Sequence, residues 1–178
     1  MQRQENGVTF KGSPMTLLGE SLKVGQNAPE FNLHYYEGGL KSLTLDDLKG
    51  KPSLVSVVPS LDTKVCAIQT QRFQQDLADL GGQINALTVS LDLPFAQGRF
   101  CGENEITMST ASDYQDRSLG LHWGLLIDEL KLLARAVVVL DSDGKVVHVE
   151  VVPEVASEPD YDAAVSYTHL TLPTRLMV

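Results

Sequence analysis

The chain has 178 residues, of which 43% are hydrophobic and 21% are charged, and this indicates one folded domain with a sizeable core. Its 23 acidic and 14 basic residues give a net charge of −9, which argues against nucleic acid or an anionic membrane as the main partner. No apolar run approaches the ~20 residues that cross a bilayer, and because the first residues are polar we expect no secretory signal. Because two cysteines are too few for a disulfide scaffold, we expect a reducing, cytoplasmic setting.

Apolar stretches separated by turn residues predict the elements in chain order. Residues 1–6 are polar and are expected to fray. The β-prone runs 8–10 and 15–18 flank a turn with Gly and Pro and predict an N-terminal hairpin. The pattern then predicts a loop over 24–31 that enters a strand, a turn at Gly38 and Gly39 and a helical turn over 43–48. Further along it predicts strands over 54–58, 84–91, 107–110, 134–140 and 146–152, the last two joined by a turn over 141–144. It predicts helices over 66–80 and 94–104, a helix and loop over 113–124, and the start of a helix over 159–165.

The order of these elements predicts an α/β fold. Strands and helices alternate in the first half and a hairpin follows, which is typical of a central mixed sheet with helices on both faces. We assign residues 1–165 to this domain.

The last residues, 166–178, have a composition that opposes a helix. Thr168, Thr171 and Thr174 are weak helix formers, and Pro173 breaks helices. We interpret 166–178 as an atypical, foreign C-terminal tail, and an unusual natural terminus is the alternative.

Cys66 lies at the junction between the predicted strand 54–58 and the predicted helix 66–80. In the first turn of a helix, free backbone N–H groups and the positive end of the helix dipole favour an anion. A thiol there loses its proton more easily, and the thiolate is the reactive form. Thr63 can cap the helix or offer its hydroxyl to whatever approaches the sulfur. The alternative is that Cys66 is only a small hydrophobic group in the core.

Arg135 and Cys101 are the other candidate site residues. Arg135 begins an apolar strand, where a charge is costly unless it is paired or functional, so it is either an ion-pair partner or part of a site. Cys101 is far from Cys66 in the sequence. Because the two do not form a C-x-x-C pair, a thioredoxin-like donor site is not indicated.

The four histidines do not indicate a metal site or a hydrolase. His34, His122, His148 and His169 are not spaced as a metal pair. No flanking motif makes one of them the partner of Cys66 in a hydrolase dyad. We therefore expect no bound metal, flavin or nucleotide.

The segment around Cys66 resembles a known motif. Pro59-x-x-x-Thr63-x-x-Cys66 is similar to the peroxidatic-cysteine motif of the peroxiredoxins, and SVVPSLDTKVC (56–66) resembles their bacterial thiol peroxidase branch, the atypical two-cysteine type. The resemblance covers roughly residues 7–165 and implies a thioredoxin fold with an added N-terminal β-hairpin. Four other segments agree in order, namely VTFKG (8–12), VGQNAPEF (24–31), SLDLPFAQGRFC (90–101) and LLARAVVVLD (132–141).

The resemblance implies a role for each candidate residue. Cys66 would attack hydrogen peroxide or an organic hydroperoxide, which Thr63 would hydrogen-bond and Arg135 would polarise. Pro59 would shape the pocket and shield the sulfenic acid from water. Cys101 would resolve the sulfenic acid as an intramolecular Cys66–Cys101 disulfide. Thioredoxin would then reduce this disulfide, and the protein would work as a homodimer in antioxidant defence.

Two other functions stay open on the residues alone. A peroxide redox sensor that passes oxidation to a partner protein would use the same two cysteines. An inactive relative would keep the fold without the chemistry.

The disulfide sets a geometric demand of its own. It needs Cα atoms within ~7 Å of each other, which cysteines in two different helices do not usually meet. We therefore expect the chain near Cys66 to unwind during turnover.

Overall fold

The structure of the protein is a computed structural model, and it describes residues 1–173. In chain order the strands are β1 (Arg3–Phe10), β2 (Ser13–Leu18), β3 (Asn32–Tyr36), β4 (Leu40–Thr44), β5 (Ser53–Val57), β6 (Asn85–Ser90), β7 (Ser109–Ser112), β8 (Leu126–Ile127), β9 (Leu132–Leu133), β10 (Ala136–Leu140) and β11 (Val146–Val151). The helices are α1 (Lys64–Asp76), α2 (Pro94–Glu103), α3 (Ser118–His122) and α4 (Tyr161–Thr171), with short 3-10 helices at Leu45–Leu48 and Ala78–Gln83.

The strands form two sheets. The larger sheet has seven strands in the order β11-β10-β5-β6-β7-β3-β4, and only the β5–β6 and β6–β7 pairs in it are parallel. The smaller sheet has four strands in the order β1-β2-β8-β9 and contains the N-terminal hairpin. The predicted mixed sheet and N-terminal hairpin are therefore confirmed.

The centre of the larger sheet is buried because its strands are apolar on both sides. Every residue of β5 and β10 is buried; β10 is a continuous apolar run, and β5 is apolar apart from Ser53 and Ser56. On one face α1 and α4 pack through Phe73 and Tyr161, whose rings are 5.2 Å apart. On the other face Trp123, which follows α3, meets Phe31 edge-on at 5.5 Å. Helices therefore cover both faces of the sheet.

The pairing of β5 with β10 brings together two distant parts of the sequence. Ala136 pairs with Val57, so Arg135 and the loop that follows β5 lie at the same edge of the sheet. That loop leads directly into α1, which begins at Lys64 and carries Cys66.

The N-terminal residues contradict the prediction that 1–6 fray, because β1 begins at Arg3. Arg3 pairs with Leu18, and its side chain forms an ion pair with Asp128 at 2.9 Å. Gln4 donates from Nε2 to the Gly19 carbonyl at 2.9 Å. Local composition does not reveal these partners, which lie far along the chain.

The C-terminal helix also corrects a prediction, since α4 continues past residue 165 to Thr171. The Thr168 side chain is buried and its hydroxyl donates to the Ala164 carbonyl at 2.8 Å, which satisfies it inside the helix. Tyr167 stacks on His148 with ring centroids 4.5 Å apart. Packing thus outweighs the weak helix propensity of threonine. Residues 174–178, including Thr174, lie outside the described part, and the foreign origin of the tail stays a prediction.

Other elements differ from the prediction in their limits. The helix predicted over 66–80 ends at Asp76, because Leu77 leaves helical geometry and the 3-10 helix Ala78–Gln83 follows. The strand predicted over 107–110 lies at Ser109–Ser112. The sequence pattern does not predict β4, β8 or β9. Within residues 1–173, no helix has both the length and the apolar character needed to cross a membrane.

Candidate active site

Cys66 is in the first turn of α1 and is fully buried, at the position that the sequence predicts. Thr63 is the N-cap residue by position, with extended backbone. Its hydroxyl does not cap the helix but donates to the Ser60 carbonyl at 2.9 Å. The Cys66 side chain packs in a small apolar cluster with Val58, Leu61 and Phe100.

Arg135 is buried directly beside the sulfur, with 2% of its surface exposed. Its Nη2 lies 3.4 Å from the Cys66 Sγ, and its Nε donates to the Val155 carbonyl at 2.9 Å. In the described part of the chain the guanidinium has no ion pair with a carboxylate. A buried cation without a counter-ion is costly, so the guanidinium favours negative charge on the adjacent sulfur.

Gln69 is a member of this group that the sequence analysis missed. Its side chain is fully buried, accepts from Arg135 Nη1 at 2.9 Å and donates to Ser56 Oγ at 2.8 Å. It lies three residues after Cys66, hence on the same face of α1. Gln69 could have been identified from the sequence as a polar residue on the buried face of an amphipathic helix.

A cavity of about 390 Å³ opens beside Thr63 and Arg135. Pro59 and Val65 form the wall that belongs to the β5–α1 segment, and the N-terminal hairpin supplies Phe10. Leu130, Leu132 and Val155 add further apolar side chains to the lining. The complete lining is Phe10, Lys11, Pro59, Thr63, Lys64, Val65, Leu130, Leu132, Arg135, Val155 and Ala156.

Cys101 is not part of this cavity. It lies near the end of α2, is half-buried, and its Sγ is 3.8 Å from Thr110 Oγ1. Burial raises the pKa of the Cys101 thiol. It lines a separate, larger cavity of about 560 Å³, and both cysteines are free thiols. The structure therefore brings together Pro59, Thr63, Cys66 and Arg135, and leaves Cys101 apart.

Glu154 attaches the N-terminal hairpin to the segment that holds Arg135. Its carboxylate accepts from the Ala156 N–H at 2.7 Å, the Gly12 N–H at 2.9 Å and Thr9 Oγ1 at 3.0 Å. These bonds, first that from Ala156, lower the pKa of Glu154 from 4.5 to about 2.

We expect Glu154→Gln to lower the melting temperature at neutral pH but not in strong acid. Because the pKa is lower in the folded state, the carboxylate stabilises the fold above pH 4.5 and loses this effect as pH falls toward 2. Thermal unfolding measured across this pH range tests the prediction. Glu103→Gln, on the exposed side of α2, is the control. A loss of melting temperature in Glu154→Gln that is the same at every pH would contradict the prediction.

Comparison with known proteins identifies the class of the molecule. The Redoxin family pattern matches residues 23–165, and the chain belongs to this family. The thiol peroxidase of Bacillus subtilis (strain 168) is 49% identical over 156 residues, which are 87% of this chain and 92% of that protein. The thiol peroxidase of Halalkalibacterium halodurans is 49% identical over 159 residues, or 89% of this chain and 94% of that protein.

Solved structures agree with this assignment. A peroxiredoxin-like protein from Aquifex aeolicus is 37% identical and superposes with a TM-score of 0.85, covering 95% of this chain and 99% of that one. The thioredoxin fold of peroxiredoxin type is therefore confirmed. With thiol peroxidases as relatives over most of its length, the protein is a peroxiredoxin-type enzyme that reduces peroxides with a thiol.

Proposed function

We propose that Cys66 is the peroxidatic cysteine of this peroxidase. The observation that supports it most strongly is the 3.4 Å separation between Arg135 Nη2 and the Cys66 Sγ. A thiolate at Cys66 supplies the negative charge that the buried guanidinium otherwise lacks in the described residues. Thr63 and Arg135 both line the adjacent cavity, and Arg135 links it to the Cys66 sulfur, which is buried behind that lining and does not itself line the cavity.

In the first step the Cys66 thiolate attacks the outer oxygen of the hydroperoxide. An S–O bond forms while the O–O bond breaks, the sulfur is oxidised by two electrons, and the leaving alkoxide takes up a proton. Arg135 stabilises the negative charge that develops on the oxygens, an interaction that is stronger in the transition state than in the bound substrate. Thr63 Oγ1, whose proton goes to the Ser60 carbonyl, accepts from the peroxide O–H and orients it. Pro59 forms the cavity wall and limits access of water to the sulfenic acid.

In the second step Cys101 resolves the sulfenic acid. Its thiol loses a proton and the thiolate attacks the Cys66 sulfur, an S–S bond forms, the S–O bond breaks, and the leaving hydroxide takes up a proton to become water. Because Cys66 is fully buried and Cys101 lines a different cavity, the first turn of α1 must open before the two sulfurs react.

Thioredoxin is the proposed reductant of the Cys66–Cys101 disulfide, and the cytoplasm, where thiols are kept reduced, is the proposed compartment. The test is peroxide consumption coupled to NADPH through thioredoxin and thioredoxin reductase. Consumption that continues beyond one turnover only when thioredoxin is present supports the proposal. Equal consumption with thioredoxin omitted and glutathione supplied would contradict it.

Apolar walls fit the cavity to organic hydroperoxides as well as hydrogen peroxide. The double variant Phe10→Ala/Leu130→Ala truncates two apolar side chains that line the cavity. We expect it to lower kcat/KM for cumene hydroperoxide by about 10-fold, because each truncation removes apolar contact with the organic group of the substrate. Hydrogen peroxide has no alkyl group, so its kcat/KM should change little. Steady-state kinetics with both substrates measure this. Equal losses for both would contradict the assignment, and Val24→Ala, at an exposed apolar residue outside the cavity, is the control.

A homodimer is the proposed assembly. Tyr36 and Phe95 are 54% and 61% exposed, and their rings lie 5.3 Å apart in one apolar patch of the kind that interfaces cover. Sedimentation velocity of the full chain tests it, and a monomer at all concentrations would contradict it.

A further inference from the structure

The Asp92 carboxylate is the centre of a hydrogen-bond network between the Cys66 loop and α2. Its Oδ1 accepts from Ser60 Oγ at 2.8 Å. Its Oδ2 accepts from the Leu61 N–H at 2.8 Å and from Ser90 Oγ at 2.7 Å. Asp92 lies between β6 and α2, so one side chain joins the end of a strand to the loop that follows β5.

On the loop side, the network fixes Thr63 through Ser60. The Ser60 carbonyl accepts from the Thr63 N–H at 3.1 Å and from Thr63 Oγ1 at 2.9 Å, and Ser60 Oγ accepts from the Asp62 N–H at 3.2 Å. The four-residue turn before α1 is therefore tied at its first residue to Asp92. Since Thr63 lines the cavity beside Arg135, a shift of Ser60 moves a group that would contact the peroxide.

On the helix side, the network reaches the segment that carries Cys101. Gln97 is buried, and its Nε2 donates to Ser90 Oγ at 3.0 Å and to the Ala111 carbonyl at 2.9 Å. It lies one turn before Cys101 on the same side of α2. Its Oε1 is buried without a hydrogen-bond partner among the described residues, and an unsatisfied buried acceptor disfavours the arrangement.

We propose that Asp92 is a positioning residue that holds the Cys66 loop in its peroxide-reactive form and must release it before the disulfide forms. This rests on the proposed roles of Cys66 and Cys101. The carboxylate acts through Ser60 and Leu61 on the position of Thr63, and it does not contact the sulfur or the substrate. Loss of Asp92 should therefore slow the peroxide step while the disulfide step keeps or gains speed.

Two substitutions of Asp92 give graded outcomes. Asp92→Ala removes both acceptor oxygens and the bonds that they accept from Ser60, Leu61 and Ser90, and leaves only the backbone bond from the Asp92 N–H to Ser90 Oγ at 3.3 Å. Asp92→Asn keeps the shape and one acceptor oxygen, and its amide nitrogen can donate to a serine hydroxyl that turns to accept. Thr168→Ala, in α4, is the control for lost stability alone, because it also removes a buried hydrogen bond but lies outside this network.

The experiment measures the two steps separately. In the Cys101→Ser background, trapping with dimedone and mass spectrometry give the second-order rate constant for sulfenic acid formation at Cys66. In the chain with both cysteines, rapid quenching gives the rate constant for disulfide formation. We expect Asp92→Ala to slow the peroxide step by about 10-fold or more, with Asp92→Asn in between, and neither to slow the disulfide step. Thr168→Ala should lower the melting temperature and leave both rate constants unchanged.

Three results would overturn the positioning role. They are a peroxide step that is unchanged in both Asp92 variants, a parallel slowing of both steps, and an equal slowing in Thr168→Ala. In each case the Cys101→Ser protein that retains Asp92 would still form sulfenic acid at Cys66, so the proposed function would stand. If that reference chain forms none, both proposals fail together.

Discussion

Arg135→Met should slow the oxidation of Cys66 by about 10²–10³-fold, the usual loss when a buried group that stabilises developing charge is removed. Methionine approximates the length of the stem but carries no charge, so it removes the only guanidinium that faces the sulfur in the described residues. Arg135→Lys should lie between the parent and Arg135→Met, because lysine keeps a charge but lacks the planar fork that reaches Val155 and Gln69. Stopped-flow mixing with hydrogen peroxide gives the rate constants.

The control for Arg135→Met is Arg72→Met, which removes an exposed arginine of α1 that pairs with Asp76 at 2.8 Å. It changes the net charge by the same amount at a distance from the sulfur. Its rate constant should stay close to that of the parent. An Arg135→Met protein that is folded and reacts as fast as Arg72→Met would show that Arg135 has only a structural role.

Cys101→Ser should reduce peroxide consumption from continuous turnover to about one equivalent per chain, or about two where excess peroxide carries Cys66 on to the sulfinic acid. Without the resolving thiol, Cys66 stays as a sulfenic acid, and excess peroxide drives it to the irreversible sulfinic acid. A thioredoxin-coupled assay measures the loss of turnover, and mass spectrometry measures the sulfinic acid. Steady turnover by Cys101→Ser near the parental rate would contradict the resolving role.

The proposed opening of the first turn of α1 can be measured in the unsubstituted protein by amide hydrogen exchange. If the first turn of α1 opens to let the disulfide form, amide exchange over residues 62–70 should be faster in the oxidised protein than in the reduced one. The exchange over β5 and β10 should stay equal in both states, because those strands are buried on both sides. Identical protection over 62–70 would contradict the unwinding.

The sequence was sufficient to locate Cys66 and Arg135, but not to bring them together. An apolar run followed by helical periodicity predicted the junction before Cys66, and a charge at the start of an apolar run distinguished Arg135. Their contact depends on the pairing of Ala136 with Val57, a long-range register that neither segment encodes alone. Gln69 and Asp92 were missed for the same reason, since their partners are set by tertiary structure.

Local composition gave wrong secondary-structure predictions near both ends of the chain. Polar residues 3–6 form part of β1 because Leu18 and Asp128 supply partners from other strands and turns. The threonines of α4 are poor helix formers in isolation, yet the buried hydroxyl of Thr168 is satisfied within the helix. The strands β8 and β9 have two residues each, too few for a period of two to be recognised.

The proposed cycle requires that Cys66 reacts with peroxide and that Cys101 resolves the product. Intact mass before and after one equivalent of cumene hydroperoxide tests it most directly, with Cys101→Ser and Cys66→Ser measured beside the parent. The parent should lose two hydrogens as the disulfide forms, Cys101→Ser should gain one oxygen on Cys66, and Cys66→Ser should keep its mass. Unchanged masses in both the parent and Cys101→Ser would mean that Cys66 is buried and inert, and would contradict the account.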